Sequence, residues 1–155
     1  MKLKQLNIVL ADDDMDDCIF FKEALETIKI LTNLTTVQDG EQLMQLLTSE
    51  NYKLPQVLFL DINMPRKNGF ECLAEIKQNE KLKDIPIVIF STSLDVVVVD
   101  FLYNAGARYF IRKPAEFSQF KKIIQQTLTL IMEQNKILPT RDNFVLSVPS
   151  LLSYL

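Results

Sequence analysis

The 155-residue chain contains no histidine and no tryptophan, only three glycines and six prolines, and two cysteines. The missing histidine excludes Ser-His-Asp and Cys-His catalysis, histidine-ligated zinc, and any role as a phosphohistidine carrier or histidine kinase. Chemistry in this chain must run on carboxylates, hydroxyls and lysine. Cys18 and Cys72 stand far apart without a CxxC pair, and they read as small core residues in a reducing compartment. No apolar run approaches the roughly 18–20 residues that a bilayer crossing needs. The start, Met1 to Asn7, has lysines but neither an apolar core segment nor a small-residue cleavage site. These absences lead us to expect a soluble, cytoplasmic protein with no membrane partner. The net charge of −3 supplies no basic field, so nucleic acid is not an expected partner either.

What is present is ordinary in bulk and uneven in detail. A chain 48% hydrophobic and 24% charged is globular, and its length suits one domain with a single unstapled core. The acid is concentrated: Asp12, Asp13, Asp14, Asp16 and Asp17 fill five of six consecutive positions. Short apolar runs alternate with helical patterns, which is the signature of a parallel α/β sheet.

Ile8-Val9-Leu10-Ala11 is a buried-strand run ending at the acidic cluster, and Phe21, Leu25 and Ile28 follow at helical spacing. Leu34 to Val37 is a weaker second strand, which the Asp39-Gly40 turn signal closes. Leu43, Leu46 and Leu47 mark a second helix. Gln56 to Leu60 is a third strand, apolar from Val57 onward as a strand covered on both faces should be. Phe70, Leu73 and Ala74 start a third helix behind Gly69, and Ile87 to Phe90 is a fourth strand entered through Pro86. Val96 to Val99 is β-branched and would read as strand in isolation. The alternation and the stop at Gly106 predict a helix there instead, over about Asp95 to Asn104. Tyr109-Phe110-Ile111 is a fifth strand. Phe117, Phe120, Ile123, Ile124, Leu128 and Ile131 stripe a long last helix. The expected fold is a doubly wound, flavodoxin-like sheet of five parallel strands in the order 2-1-3-4-5 with five helices, over residues 1–133. Residues 134–155 form a tail with two prolines and an apolar end, too short for an output domain.

Ligands of open parallel sheets bind beyond the carboxyl ends of the strands. Here those ends carry Asp12-Asp13(-Asp14), Asp61, Ser91-Thr92 and Lys113-Pro114. An aspartate after a strand is often only the cap of the next helix, Ser-Thr after a strand is often a cap too, and Lys-Pro is usually a solvated turn. Capping explains each residue alone but not their convergence on one sheet edge. Crowded carboxylates raise one another's pKa, and a divalent cation relieves that cost; an all-oxygen site suits Mg²⁺.

The segments NIVLADDD, VLFLDINMPRKNGFE, IPIVIFSTS and ARYFIRKP resemble, in order and spacing, the signature segments of bacterial response-regulator receiver domains. The resemblance covers about residues 5–133. It implies that Asp61 is a phosphoacceptor, phosphorylated by a sensor histidine kinase or phosphotransfer protein, in two-component signalling. It implies Asp12 and Asp13 as the acidic pair holding Mg²⁺ (Mn²⁺ being the alternative ion), with Asp61 and the backbone carbonyl of Asn63 completing the metal site. Three aspartates in a row leave open a register in which Asp14 substitutes. Lys113 would contact the phosphoryl group, aimed inward by a cis Lys113-Pro114 bond. Ser91 would be the switch hydroxyl coupled to Phe110, which stands where the family more often has tyrosine, so the readout is expected to be packing-based. Asn63 and Ser93 would tune access of water, giving a phospho-form of limited lifetime.

The resemblance makes the protein a signalling switch that phosphorylates and dephosphorylates itself, and not an enzyme acting on other substrates. Two rival readings compete with it. A phosphohydrolase of the haloacid dehalogenase type needs a second aspartate where Asn63 stands, and a degenerate receiver acting only as an interaction module usually lacks an acidic residue or the lysine. The message is expected to pass to a downstream protein target. The expected contact face is that of the fourth helix, fifth strand and fifth helix, with the protein a monomer or a homodimer through that face or the tail.

Overall fold

The computed structural model describes residues 5–133 and 138–147. Strands β1 (Leu6–Ala11), β2 (Thr32–Val37), β3 (Val57–Leu60), β4 (Ile87–Ser91) and β5 (Tyr109–Arg112) alternate with helices α1 (Met15–Thr27), α2 (Gly40–Leu47), α3 (Gly69–Gln78), α4 (Val96–Asn104) and α5 (Phe117–Glu133). All pairings are parallel, and a short β6 (Val145–Leu146) extends the order to β2-β1-β3-β4-β5-β6.

Strand alternation splits the core in two. Ile8, Leu10, Phe59, Phe90 and Ile111 pack towards Phe21 of α1 and Phe120 and Ile124 of α5. Val9, Leu58, Leu60, Ile89 and Phe110 pack the other way, towards Leu43, Leu73, Val99 and Leu102 of α2, α3 and α4. Each of β3 and β4 is buried along its whole length, as the continuous apolar runs required.

Helix starts follow side-chain caps. Asp14 accepts from the amides of Asp16 and Asp17, Asp39 from Gln42, and Asp95 from Val97 and Val98. Asn68 and Glu71 form a reciprocal capping box at α3. The Asp39-Gly40 pair expected as a turn is therefore the start of α2. Gly40 is needed there because a Cβ would lie 2.1 Å from the Lys67 carbonyl oxygen. The four valines at 96–99 are helical because the Asp95 cap and Gly106, at φ +98°, bound the segment. Burying β-branched residues is not what holds it: Val96 and Val97 are exposed, and of the four Val99 alone is buried.

Two expectations need correction. The sheet has six strands, because residues beyond α5 return through a 3-10 turn (Arg141–Asn143) and pair with β5: Phe110 opposes Val145 and Ile111 opposes Leu146. A two-residue strand has no periodicity to read, and its anchor is the wholly buried ring of Phe144. The apolar end expected as a contact element, Val148 to Leu155, lies outside the described residues. The second correction is that no cis peptide bond occurs among the described residues, so Lys113-Pro114 is trans. Lys113 is aimed by the ladder instead, its amide donating to the Ser91 carbonyl at 2.7 Å one residue past β5.

Candidate functional site

Asp12 follows directly on β1, Asp61 on β3 and Lys113 on β5, while Ser91 ends β4; all four side chains are buried at the carboxyl edge of the sheet. Parallel registry puts them there, since Ala11 opposes Leu60 and Ser91 opposes Arg112. The backbone under Asp61 is held by close approach of α3. Gly69 donates to the Ile62 carbonyl at 2.8 Å, and a Cβ on Gly69 would come within 2.4 Å of the Asp61 carbonyl oxygen.

Carboxylate oxygens of Asp12, Asp13 and Asp61 lie within 4.8 Å of one another. Asp14 does not join them, because its side chain turns away to cap α1. This separates capping from clustering within one run of acids. Lys113 Nζ sits 2.8 Å from Asp12 Oδ2, 2.7 Å from Asp17 Oδ2 and 3.8 Å from Asp61 Oδ2, over the Phe90 ring at 5.3 Å. The sequence suggests Asp17 only as a helix-start residue, and its ion pair with Lys113 is an addition from the structure. The available signal was the acidic run itself, which holds more carboxylates than one helix start can use.

Burial raises the Asp61 carboxyl to about 7, reinforced by the charge of Asp12 and opposed by Lys113 and the Asn63 amide. Burial also raises Asp12, against the pull of Lys113 and of the Asp14 amide, which donates to Asp12 Oδ1 at 3.0 Å. Burial pulls the Lys113 ammonium down, but its bonds to Asp12 and Asp17 outweigh that, and the net shift is upward. Lysine stays charged, and one cation faces more carboxylate charge than it can balance. Asp12 Oδ2 is buried, and it shares the Lys113 ammonium, 2.8 Å away, with the carboxylates of Asp17 and Asp61. An under-satisfied buried oxygen within an all-oxygen cluster fits a hard divalent cation. Both thiols are raised to about 11, chiefly by burial, which agrees with their reading as core residues.

Of the remaining expected residues, Asn63 and Ser93 are exposed beside the cluster, and the Ser93 amide donates to Ser91 Oγ at 3.4 Å. Phe110 points into the opposite core, where its ring lies 6.5 Å from that of Phe144, itself 5.3 Å from Tyr103. Phe144 and Tyr103 are further additions from the structure. Neither belongs to a motif, and only folding back of the chain brings them to Phe110.

The family model for the response regulator receiver domain matches residues 8–125. The chain belongs to the response regulator receiver family. It is 34% identical over 122 residues to response regulator Rcp1 of Synechocystis, covering 76% of this chain and 83% of that protein. The phosphorylated cyanobacterial phytochrome response regulator RcpA superposes with a TM-score of 0.79 at 32% identity, over 88% of this chain and 100% of that one. The Mn²⁺-bound form of Rcp1 superposes with a TM-score of 0.75, also at 32% identity, over 87% and 99% of the two chains. Receiver domains bind a divalent metal, and the acidic pocket of this one has the donors for it.

Proposed function

We propose that this receiver accepts a phosphoryl group on Asp61 from a phosphohistidine and signals by a conformational change. The observation that carries the reading is the meeting of Asp61, Asp12, Asp13 and Lys113 from three strand ends in one small pocket. Asp61 Oδ attacks phosphorus, the O–P bond forms, and the N–P bond to the donor imidazole breaks. Asp12, Asp13, Asp61 and the Asn63 carbonyl would hold Mg²⁺, which supplies neutralisation of the charge on the transferred oxygens. Lys113 is held on the same side by Asp12 and Asp17, and it adds a compact positive charge where the phosphoryl group arrives. Ser91, already buried beside Lys113, is the hydroxyl that turns to the new phosphate. Phe110 passes the change on through packing, since it has no hydroxyl to offer. The small polar residues Asn63 and Ser93 leave water a path to the phosphoryl group, which limits its lifetime. RcpA is by name a phytochrome response regulator, which makes a phytochrome-linked kinase the first donor to try.

The test is incubation with acetyl phosphate and Mg²⁺, followed by intact mass. A Mg²⁺-dependent gain of about 80 Da, absent from Asp61→Asn, is expected. No gain at any Mg²⁺ concentration would overturn the reading and leave an interaction module. A phospho-form that persists for many hours would contradict the assignment of Asn63 and Ser93.

A further inference from the structure

At the opposite end of the sheet, where β4 and β5 begin, a cavity of about 200 Å³ opens between the end of α3, the loop entering β4 and Arg108. Arg108 is 7% exposed, has no acidic partner among the described residues, and its Nε is buried without any hydrogen bond. Its backbone is fixed by donation to the Ile87 carbonyl at 2.7 Å, so the guanidinium cannot withdraw with the chain. Lys77, half-buried on α3, lines the same cavity and also lacks an ion pair among the described residues. Its stem runs across Gly106, where a Cβ would lie 3.0 Å from Lys77 Cε; the missing side chain lets the ammonium reach Lys83 O at 3.1 Å. The third cation of the cavity, Lys83, is engaged by Glu80 at 2.9 Å, and the acid of the rim, Asp84, is exposed.

Arg108 is a buried cation with no ion pair among the described residues, set beside the half-buried Lys77, and the cavity's own carboxylate, Asp84, stays exposed on the rim; burying a cation so poorly compensated is costly. Burial depresses both; for Lys77 the neighbouring Arg108 charge adds to it, and the Asp84 charge on the rim offsets it only in part. Nothing in the phosphoryl chemistry at the far edge of the sheet uses them. We propose that this cavity binds a small oxyanion of the phosphate class between Arg108 and Lys77. A guanidinium offers directed donors to oxyanion oxygens and an ammonium a movable point charge, and a dianion balances the pair. The volume admits such an ion with a few waters, each occupying about 30 Å³.

The test is titration of the metal-free full chain with inorganic phosphate, against chloride at equal ionic strength, followed by backbone amide NMR. Saturable shifts are expected at Gly106, Arg108 and Ile87 with phosphate alone. Arg108→Met should weaken the apparent affinity about tenfold or more, and Lys77→Met should weaken it to a lesser degree. Shifts that rise without saturating, that chloride reproduces, or that persist unchanged in Arg108→Met would overturn the proposal. If Arg108→Met does not fold, Lys77→Met decides: an unchanged titration overturns the site and a weakened one upholds it. The site stands apart from Asp61, so failure here leaves the phosphoacceptor reading untouched, and the reverse holds.

Discussion

Replacing Asp61 with asparagine should stabilise the metal-free protein at pH 8, and most of that gain should disappear in mild acid. The folded Asp61 carboxyl holds its proton to about 7, against 3.8 for an unburied one, because burial and the Asp12 charge disfavour the anion. Below 3.8 the group is protonated in both states and contributes nothing. As pH rises from there, the unfolded chain releases the proton first, so stability falls until the folded carboxyl has titrated as well. At about 1.4 kcal/mol per pH unit, the ceiling is about 4 kcal/mol. Lys113 at 3.8 Å stays in place and the Asp61 side chain keeps 8% of its surface exposed, so we expect about 1–3 kcal/mol at pH 8 and less than half of that at pH 5. Urea denaturation of wild type and Asp61→Asn in EDTA at the two pH values measures it. Millimolar Mg²⁺ should then stabilise wild type more than the variant, since a ligand that binds only the folded state adds its binding energy to stability. A variant less stable than wild type at pH 8, or a difference independent of pH, would refute the electrostatic account of the pocket.

Asp14→Ala should cost about 1 kcal/mol through loss of the α1 cap, with phosphorylation by acetyl phosphate preserved. Asp13→Ala should abolish that phosphorylation with a smaller effect on urea stability, because Asp13 is exposed. Lys113→Met leaves the buried Asp12 carboxylate without its cation, a loss of about 3–5 kcal/mol in EDTA, and added Mg²⁺ should recover part of it in the same denaturation assay. Phe144→Ala should cost about 3 kcal/mol. It should also speed hydrogen exchange at the Phe110 amide, which donates to the Phe144 carbonyl at 3.0 Å.

The order of elements and the address of the pocket were legible in residues 6–133, because both rest on local rules. A strand buried on two faces must be apolar throughout, so Val57–Leu60 and Ile87–Phe90 announce themselves, and parallel strands need a crossover, which assigned α4 despite its valines. The strand ends then placed Asp12, Asp61, Ser91 and Lys113 at one edge. Tertiary structure decided what local rules leave degenerate. Asp13 and Asp14 are chemically identical, and only the direction of the chain leaving β1 turns one towards Asp61 and the other to the α1 amides. Asp17 reaches Lys113 across 96 residues of sequence, Phe144 finds Phe110 by closing the free edge of β5, and Arg108 is left facing Lys77. Each of these contacts depends on a through-space distance between segments whose own sequences carry no record of the other.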